Sequence, residues 1–308
     1  MYSELSYKTP ERGYLKKAGI LAEKIKKSSA ILIGAGTGLS TAAGIIPDGD
    51  VFRNHFGDFI SKYGFRDLYT GFNHSYDSFQ ELWAYRSRFV YYERYLAEDN
   101  GTFAALLDMV RKKDYFIITT DTFHMFQKAG FNKKRLFYVN GDYGLFKCCL
   151  PCRQKTFDNR ETIEKMAELQ QDMKIPMDLL PTCPYCGRPA TINVATEPRF
   201  VQDKGWLEAV QRFNTFLKEH QKGRVLYLEL GAGLDALNII KYNFQSLTSD
   251  NPKSFYVRIN LKEAFCLEQI KSRSLFIYGD IEKVLKKASR ILKENKVPVG
   301  KGPPGIVK

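Results

Sequence analysis

Long hydrophobic runs are missing from this chain of 308 residues. No apolar stretch approaches the roughly 20 residues that a membrane-spanning helix needs. The opening segment, MYSELSYKTPERGYLKKAGILAEKIKK, is charged and amphipathic and has no signal-peptide core. The chain is therefore expected in the cytoplasm. Acidic residues are also scarce: 34 Asp and Glu face 47 Lys and Arg, a net charge of +13. Such a balance suits acidic partners, nucleic acid among them. Yet the lysines are scattered, apart from pairs such as Lys133-Lys134 and Lys286-Lys287. There is no aromatic RNA-binding signature and no zinc-finger spacing with histidines. A lysine-rich surface on an ordinary enzyme is the expectation, with no nucleic-acid partner. Internal repeats are absent as well.

What is present suffices for one large domain, or one domain with a small insert. Hydrophobic residues make up 44% and charged residues 26%, which excludes wholesale disorder. Residues 11–28 carry Leu15, Ala18, Leu21, Ala22 and Ile25 at helical spacing among lysines. Ser29–Ile33 reads as a buried strand running into glycines. Residues 52–98 are aromatic-rich and helical, with Trp83, Tyr85, Phe89, Tyr91, Tyr92 and Tyr95 expected mostly in the core. The helix GTFAALLDMVRKK leads to the strand Tyr115–Thr120, which ends in Asp121. The strand RLFYVNGD ends near Asn140. The helix GWLEAVQRFNTFLKEH precedes the strands RVLYLELGAG, SFYVRINL and SLFIYGD, and a last helix covers about 281–293. Strands alternating with helices predict an α/β fold with a doubly wound, Rossmann-like parallel sheet. A cysteine-bearing region interrupts the alternation and reads as an inserted module. The expected units are 1–145 with 195–295 for the main domain and 146–194 for the insert. A disordered Lys-, Gly- and Pro-rich tail is expected over 296–308.

Three patterns carry chemistry. ILIGAGTGLSTAAG joins an apolar strand to Gly34, Gly36 and Gly38 and then a small-residue helix start. Glycines allow a tight turn and close approach to a pyrophosphate, and a helix N-terminus offers N–H donors. The spacing is not the strict dinucleotide fingerprint. PDGDVFRNHF, about where a ribose-binding acid on a second strand would follow, reads as a loop. Next, Cys148, Cys149 and Cys152 are followed by Cys183 and Cys186 in CPYCG. Two thiol clusters fit a closed tetrahedral Zn²⁺ site, with Cys148 or Cys149 opening the first pair. Disulfides are not expected inside a cell, and Cys266 is expected in the core. Last, Asp121, Asn140, Glu229 and Asp235 all stand at strand ends, where open α/β sheets bind ligands.

In that order, these motifs resemble the sirtuins over about residues 15–290. The resemblance is nearest to class M, a microbial branch often encoded beside macrodomains. It is carried by FGDFISKYGF, ELWAYRSRF, TTDTFHMFQKAGF, DLLPTCPYCG, RVLYLELGAG, IIKYNF and the glycine loop. It implies a Rossmann-type domain with a small structural zinc module and NAD in the cleft. It favours Cys148, with Cys152, Cys183 and Cys186, as the ligand set. It implies cofactor contacts at Gly34, Ala35, Gly36, Ser40, Arg53, Thr120, Gly231, Gly233 and Asn260, with Asp121 and Asn140 facing the ribose. The implied activity is ADP-ribosyl transfer to a protein. The implied acceptor is a lipoylated carrier similar to the glycine-cleavage H protein, and a macrodomain hydrolase reverses the mark.

Several positions depart from the sirtuin pattern. Asp121 replaces Asn, and Phe123 replaces an Asp that helps hold nicotinamide. Asn140 stands at the general-base histidine, where class M has glutamine. Asp235 and Ala236 fall where a Ser/Thr turn is usual, and Ala195 where class M has arginine. An amide cannot act as a base at neutral pH, so deacetylation is not expected. His124 aligns elsewhere and is expected on a helix surface or behind the site. Asp121 can stabilise a developing positive charge, as carboxylates do in glycoside hydrolysis. The alternative is a degenerate site that binds NAD, ADP-ribose or a partner without turnover.

Overall fold

The computed structural model describes residues 10–261 and 265–294. The expected tail at 296–308 lies outside them, as does the side chain of Asp235. Nine strands are described: β1 (Ala30–Ala35), β2 (Asp114–Thr119), β3 (Leu136–Tyr138), β4 (Gly141–Cys148), β5 (Phe157–Asp158), β6 (Ala190–Val194), β7 (Val225–Leu230), β8 (Phe255–Asn260) and β9 (Ser274–Tyr278). Six of them form one sheet in the order β3-β2-β1-β7-β8-β9. Every pairing in it is parallel. The chain winds outward from β1 to β3 and then returns to start the other half at β7. The strand order thus reverses between β1 and β7, the place where a doubly wound sheet opens a crevice.

Helices cover both faces. They are α1 (Lys17–Lys27), α2 (Thr37–Ala42), α3 (Asp50–His55), α4 (Gly57–Tyr63), α5 (Leu68–Phe72), α6 (Phe79–Val90), α7 (Thr102–Val110), α8 (Met125–Lys128), α9 (Arg160–Leu169), α10 (Lys204–His220), α11 (Tyr242–Asp250) and α12 (Ile281–Glu294). Strands buried on both faces read as unbroken apolar runs, which is why β1, AILIGA, is buried throughout. Its Ile31, Ile33 and Ala35 join one core with α1, α7 and α12, while Ala30 and Leu32 join the other with α10 and α11. On α12, Ile281, Val284, Leu285 and Ala288 repeat at helical spacing and all are buried. Trp83, Tyr85 and Phe89 of α6 are core residues as expected. None of the described helices is long and apolar enough to cross a membrane.

Two features differ from the sequence reading. PDGDVFRNHF is not wholly a loop: Asp50 to His55 form α3, capped at Gly49, with Asp50 suited to the first turn. The cysteine region also holds a small antiparallel sheet, β5-β4-β6. Its central strand β4 begins at Gly141, one residue past Asn140, and carries a register shift between Asp142 and Phe146.

Glycine matters most where the two halves of the main sheet touch. A Cβ on Gly36 would lie 2.6 Å from Ala232 Cα, and one on Gly38 would lie 2.7 Å from Gly231 O. Gly231 has φ +58, and its Cβ would fall 2.5 Å from the Gly38 carbonyl carbon. These neighbours are backbone and cannot swing aside. Gly231→Ala should therefore lower unfolding stability in urea by about 3 kcal/mol, through the clash and the left-handed φ together. Gly57→Ala, whose Cβ meets nothing within 4 Å, should change it by less than about 1 kcal/mol.

Candidate active site

Strand ends knit the site together. Thr119 Oγ1 donates to Ala35 O at 2.8 Å and accepts from the Asp121 N–H at 3.0 Å. The Thr120 N–H reaches Ala35 O at 3.1 Å, the Gly36 N–H reaches Leu230 O at 3.0 Å, and the Val139 N–H reaches Thr119 O at 3.0 Å. Asn140 Nδ2 donates to Thr120 O at 3.2 Å, and Asn140 O accepts from the Ala195 N–H at 2.9 Å. Residues around 35, 120 and 140 thus form one rigid rim. Ala195, exposed beside Asn140, offers no charge there.

Asp121 is buried behind this rim. Ser40 Oγ donates to one carboxylate oxygen and the Phe123 N–H to the other at 2.8 Å. Burial pushes its carboxyl up from 3.8 to about 6, the Asp142 charge adds to this, and the Ser40 and backbone donors pull against it. Ser40, expected at the phosphates, is therefore held to Asp121. Phe123 points into the core against Phe89 and Tyr143, so an aromatic contact replaces a polar one.

Six of the other expected cofactor residues divide into two groups. Ala35, Gly36 and Thr120 lie on the rim, and Thr120 Oγ1 is buried with no hydrogen-bond partner among the described residues. Gly231 and Gly233 lie on the loop after β7. Asn260 Nδ2 supports that loop by donating to Ala232 O at 3.0 Å. Gly34 is a packing position: its Cβ would meet Ile240 at 2.5 Å and Phe244 at 2.7 Å. Arg53, on α3, has 62% of its side chain exposed and pairs with Asp50 at 2.9 Å. Beneath the β7 loop, Lys241 donates to buried Glu229 at 2.5 Å, and Tyr256 donates to its other oxygen. Glu229 is thus a structural charge.

Sequence reasoning missed a second cluster. His124 is not on a helix surface; it caps α8 at φ 68. Its Nδ1 lies 2.7 Å from Asp142 Oδ2. Arg94 Nε donates to Asp142 Oδ1 at 2.6 Å, and the Gly144 N–H does so at 2.7 Å. Arg94 belongs to a π-helical turn, Tyr91–Leu96. Burial opposes the Asp142 charge, but the His124 hydrogen bond and the Arg94 guanidinium hold its carboxyl below the usual range. The only sequence hint was an acid two residues beyond Asn140.

The four cysteines converge. The sulfurs of Cys148, Cys152, Cys183 and Cys186 all lie within 4.8 Å of one another. Cys148–Cys186 and Cys152–Cys183 are each 3.7 Å apart. A tetrahedron with metal–sulfur bonds of about 2.3 Å has edges of about 3.8 Å, so the donor set fits such an ion. Cys149 is not part of this cluster; its N–H bonds Pro189 O at 3.0 Å. Cys266 is partly buried against the core of the α10 and α11 face.

The reversing parallel sheet, its glycine crevice and the appended cysteine module define the sirtuin fold. A Sir2 homologue–NAD complex superposes with TM-score 0.56 at 15% identity, covering 90% of this chain and 94% of that one. A mutant Sir2 homologue with ADP-ribose gives TM-score 0.56 at 13% identity, covering 90% and 96%. No family model matches the chain. In sequence, a protein ADP-ribosyltransferase of Staphylococcus aureus is 36% identical over 277 residues, 89% of this chain and 88% of that protein. The chain belongs to that family of sirtuin-fold protein ADP-ribosyltransferases. A Fusarium oxysporum f. sp. cubense protein described as "Probable bifunctional ADP-ribose hydrolase/ADP-ribosyltransferase" is 26% identical over 250 residues, 73% of this chain but 39% of its own length.

Asp121 has a pH signature. Its folded value, about 6, exceeds its ordinary 3.8, so the folded state holds the proton more tightly. The resulting stabilisation is complete below about pH 4 and is lost as pH rises through 6. Relative to Asp121→Asn, the wild type should lose on the order of 2 kcal/mol between pH 4 and pH 7. Parallel urea titrations of the two proteins check this; parallel stability curves would refute it.

Proposed function

We infer that this protein is an NAD-dependent protein ADP-ribosyltransferase of class M type, not a deacetylase. The observation that carries the reading is Asn140. It is an amide on the rim beside Asp121, tied to Thr120 O, in a chain 36% identical to a protein ADP-ribosyltransferase over most of its length. When bound, NAD supplies a ribosyl carbon from which nicotinamide can leave. The chain's residues do the rest.

Ala35, Gly36 and the unpaired Thr120 hydroxyl meet the phosphates and ribose, an orphaned donor being suited to a ligand oxygen. Gly34 shapes the strand beneath them, and Ser40 acts by orienting Asp121. Gly231, Gly233 and Asn260 form and support the wall for the adenosine half, and Arg53 approaches from α3. Asp121, in a site sheltered from water, stabilises positive charge developing at the ribosyl carbon. Asn140 orients the ribose. Residues 1–145 and 195–295 make up the NAD-binding unit, and 146–194 the module in which Cys148, Cys152, Cys183 and Cys186 hold a structural Zn²⁺. The acceptor is a lipoylated carrier similar to the glycine-cleavage H protein, paired with a macrodomain protein in the cytoplasm.

A second reading has support in Ser40 and Phe123. The first is engaged with Asp121, and the second has turned into the core. A binding protein without turnover fits these two changes.

Nicotinamide release from NAD, followed by mass spectrometry with and without the lipoylated carrier, separates the readings. Release by the wild type, reduced roughly 100-fold in Asp121→Ala, supports transfer. A thermal shift with NAD and no release supports the binding reading. Elemental analysis should find one zinc per chain. Cys183→Ser should lose the metal and melt at lower temperature, and a metal-free wild type would end the zinc assignment.

A further inference from the structure

A cavity of about 360 Å³ lies between β3, the start of β4 and the N-terminal half of α10, and Gly141, the residue after Asn140, lines it. Its walls include His124, Tyr138, Asp142, Asn193 and Trp206. The His124 and Tyr138 rings are stacked, 6.2 Å apart and 6° from parallel. Gln127 Oε1 belongs to the same lining and is buried without a partner among the described residues. That atom points to a ligand that would satisfy it.

We propose that His124, oriented by Asp142, is the general base that takes the proton from the acceptor nucleophile. This rests on the ADP-ribosyltransferase reading. The assignment follows from which nitrogen is engaged. An ionised carboxylate only accepts hydrogen bonds. Asp142 is kept ionised by Arg94 and the Gly144 N–H. Nδ1 must then carry the proton, which leaves the Nε2 lone pair available. Nε2 makes no hydrogen bond among the described residues, and 29% of the side chain is exposed. The backbone supplies an independent sign. His124 has φ 68, a conformation glycine adopts far more readily, and such strain collects at working sites. Around the imidazole, Asp142 lies on β4, Arg94 on the π-helical turn and Tyr138 on β3. Asp121 lies three residues back, and Lys128 is on α8. Lys133 and Asp158 also line the cavity.

The step balances without a further reagent. The acceptor atom bonds the ribosyl carbon as the bond to nicotinamide breaks, and that electron pair leaves with neutral nicotinamide. The acceptor proton passes to His124 Nε2 and then to water. The acceptors served are nucleophiles that carry a proton, such as a hydroxyl group or water. A carboxylate has no need of this base.

The test measures nicotinamide release from NAD into water and into azide across pH, for wild type, His124→Gln and His124→Gly. Azide is anionic and needs no deprotonation. The glycine variant suits the local φ, so it guards against a folding failure. Both variants should release nicotinamide roughly 100-fold more slowly in water at neutral pH. Azide should restore release and yield ADP-ribosyl azide. Variants as fast as wild type, or a loss that azide does not repair, would overturn the assignment alone. A wild type silent with both nucleophiles and with the lipoylated carrier would overturn the ADP-ribosyl reading, and the assignment with it.

Discussion

Backbone rests on backbone where Gly36 and Gly38 meet Gly231. This contact fastens the loop after β1 to the loop after β7, across the place where the sheet changes direction. The N–H of Gly36 is spent on Leu230 O and that of Gly38 on Gly231 O. The crevice therefore begins only beyond these bonds, and its floor cannot shift without breaking both. The rest of the rim inherits that rigidity, because Thr119 and Thr120 bond back to Ala35.

Two buried carboxylates then stand near each other with opposite tuning. Asp121 has a serine hydroxyl and a backbone N–H, too little to offset its burial. Asp142 has a guanidinium, an imidazole and a backbone N–H, and its charge is stabilised. Environments that separate like groups in this way give them separate tasks. One is poised to change protonation, and the other is a fixed negative support.

The main sheet was legible because parallel strands covered on both faces become short apolar runs, as in AILIGA and VLYLEL. The small sheet was not. β4, GDYGLFKC, has two glycines, an acid and a register shift that breaks its alternation, and β5 has two residues. Helix α3 was hidden by the Pro, Gly and Asp residues around its start. Asp121 and Asn140 drew notice as candidates because each follows an apolar strand. The Arg94–Asp142–His124 group escaped because its members are 48 and 18 residues apart and none ends a recognisable strand. The cysteine ambiguity was a matter of one residue, and the side chain of Cys148, at the end of β4, turns to the other sulfurs.

β4 also joins the rim to the sulfur cluster. It leaves the rim at Gly141, passes Asp142 and ends at Cys148, a span of roughly 23 Å. One continuous strand thus carries both a wall of the cavity and a member of the sulfur cluster. Any ion held there and any ligand held in the cavity act on the same backbone segment. If that segment differs between the ion-bound and ion-free states, the two binding free energies are linked, and the linkage is reciprocal.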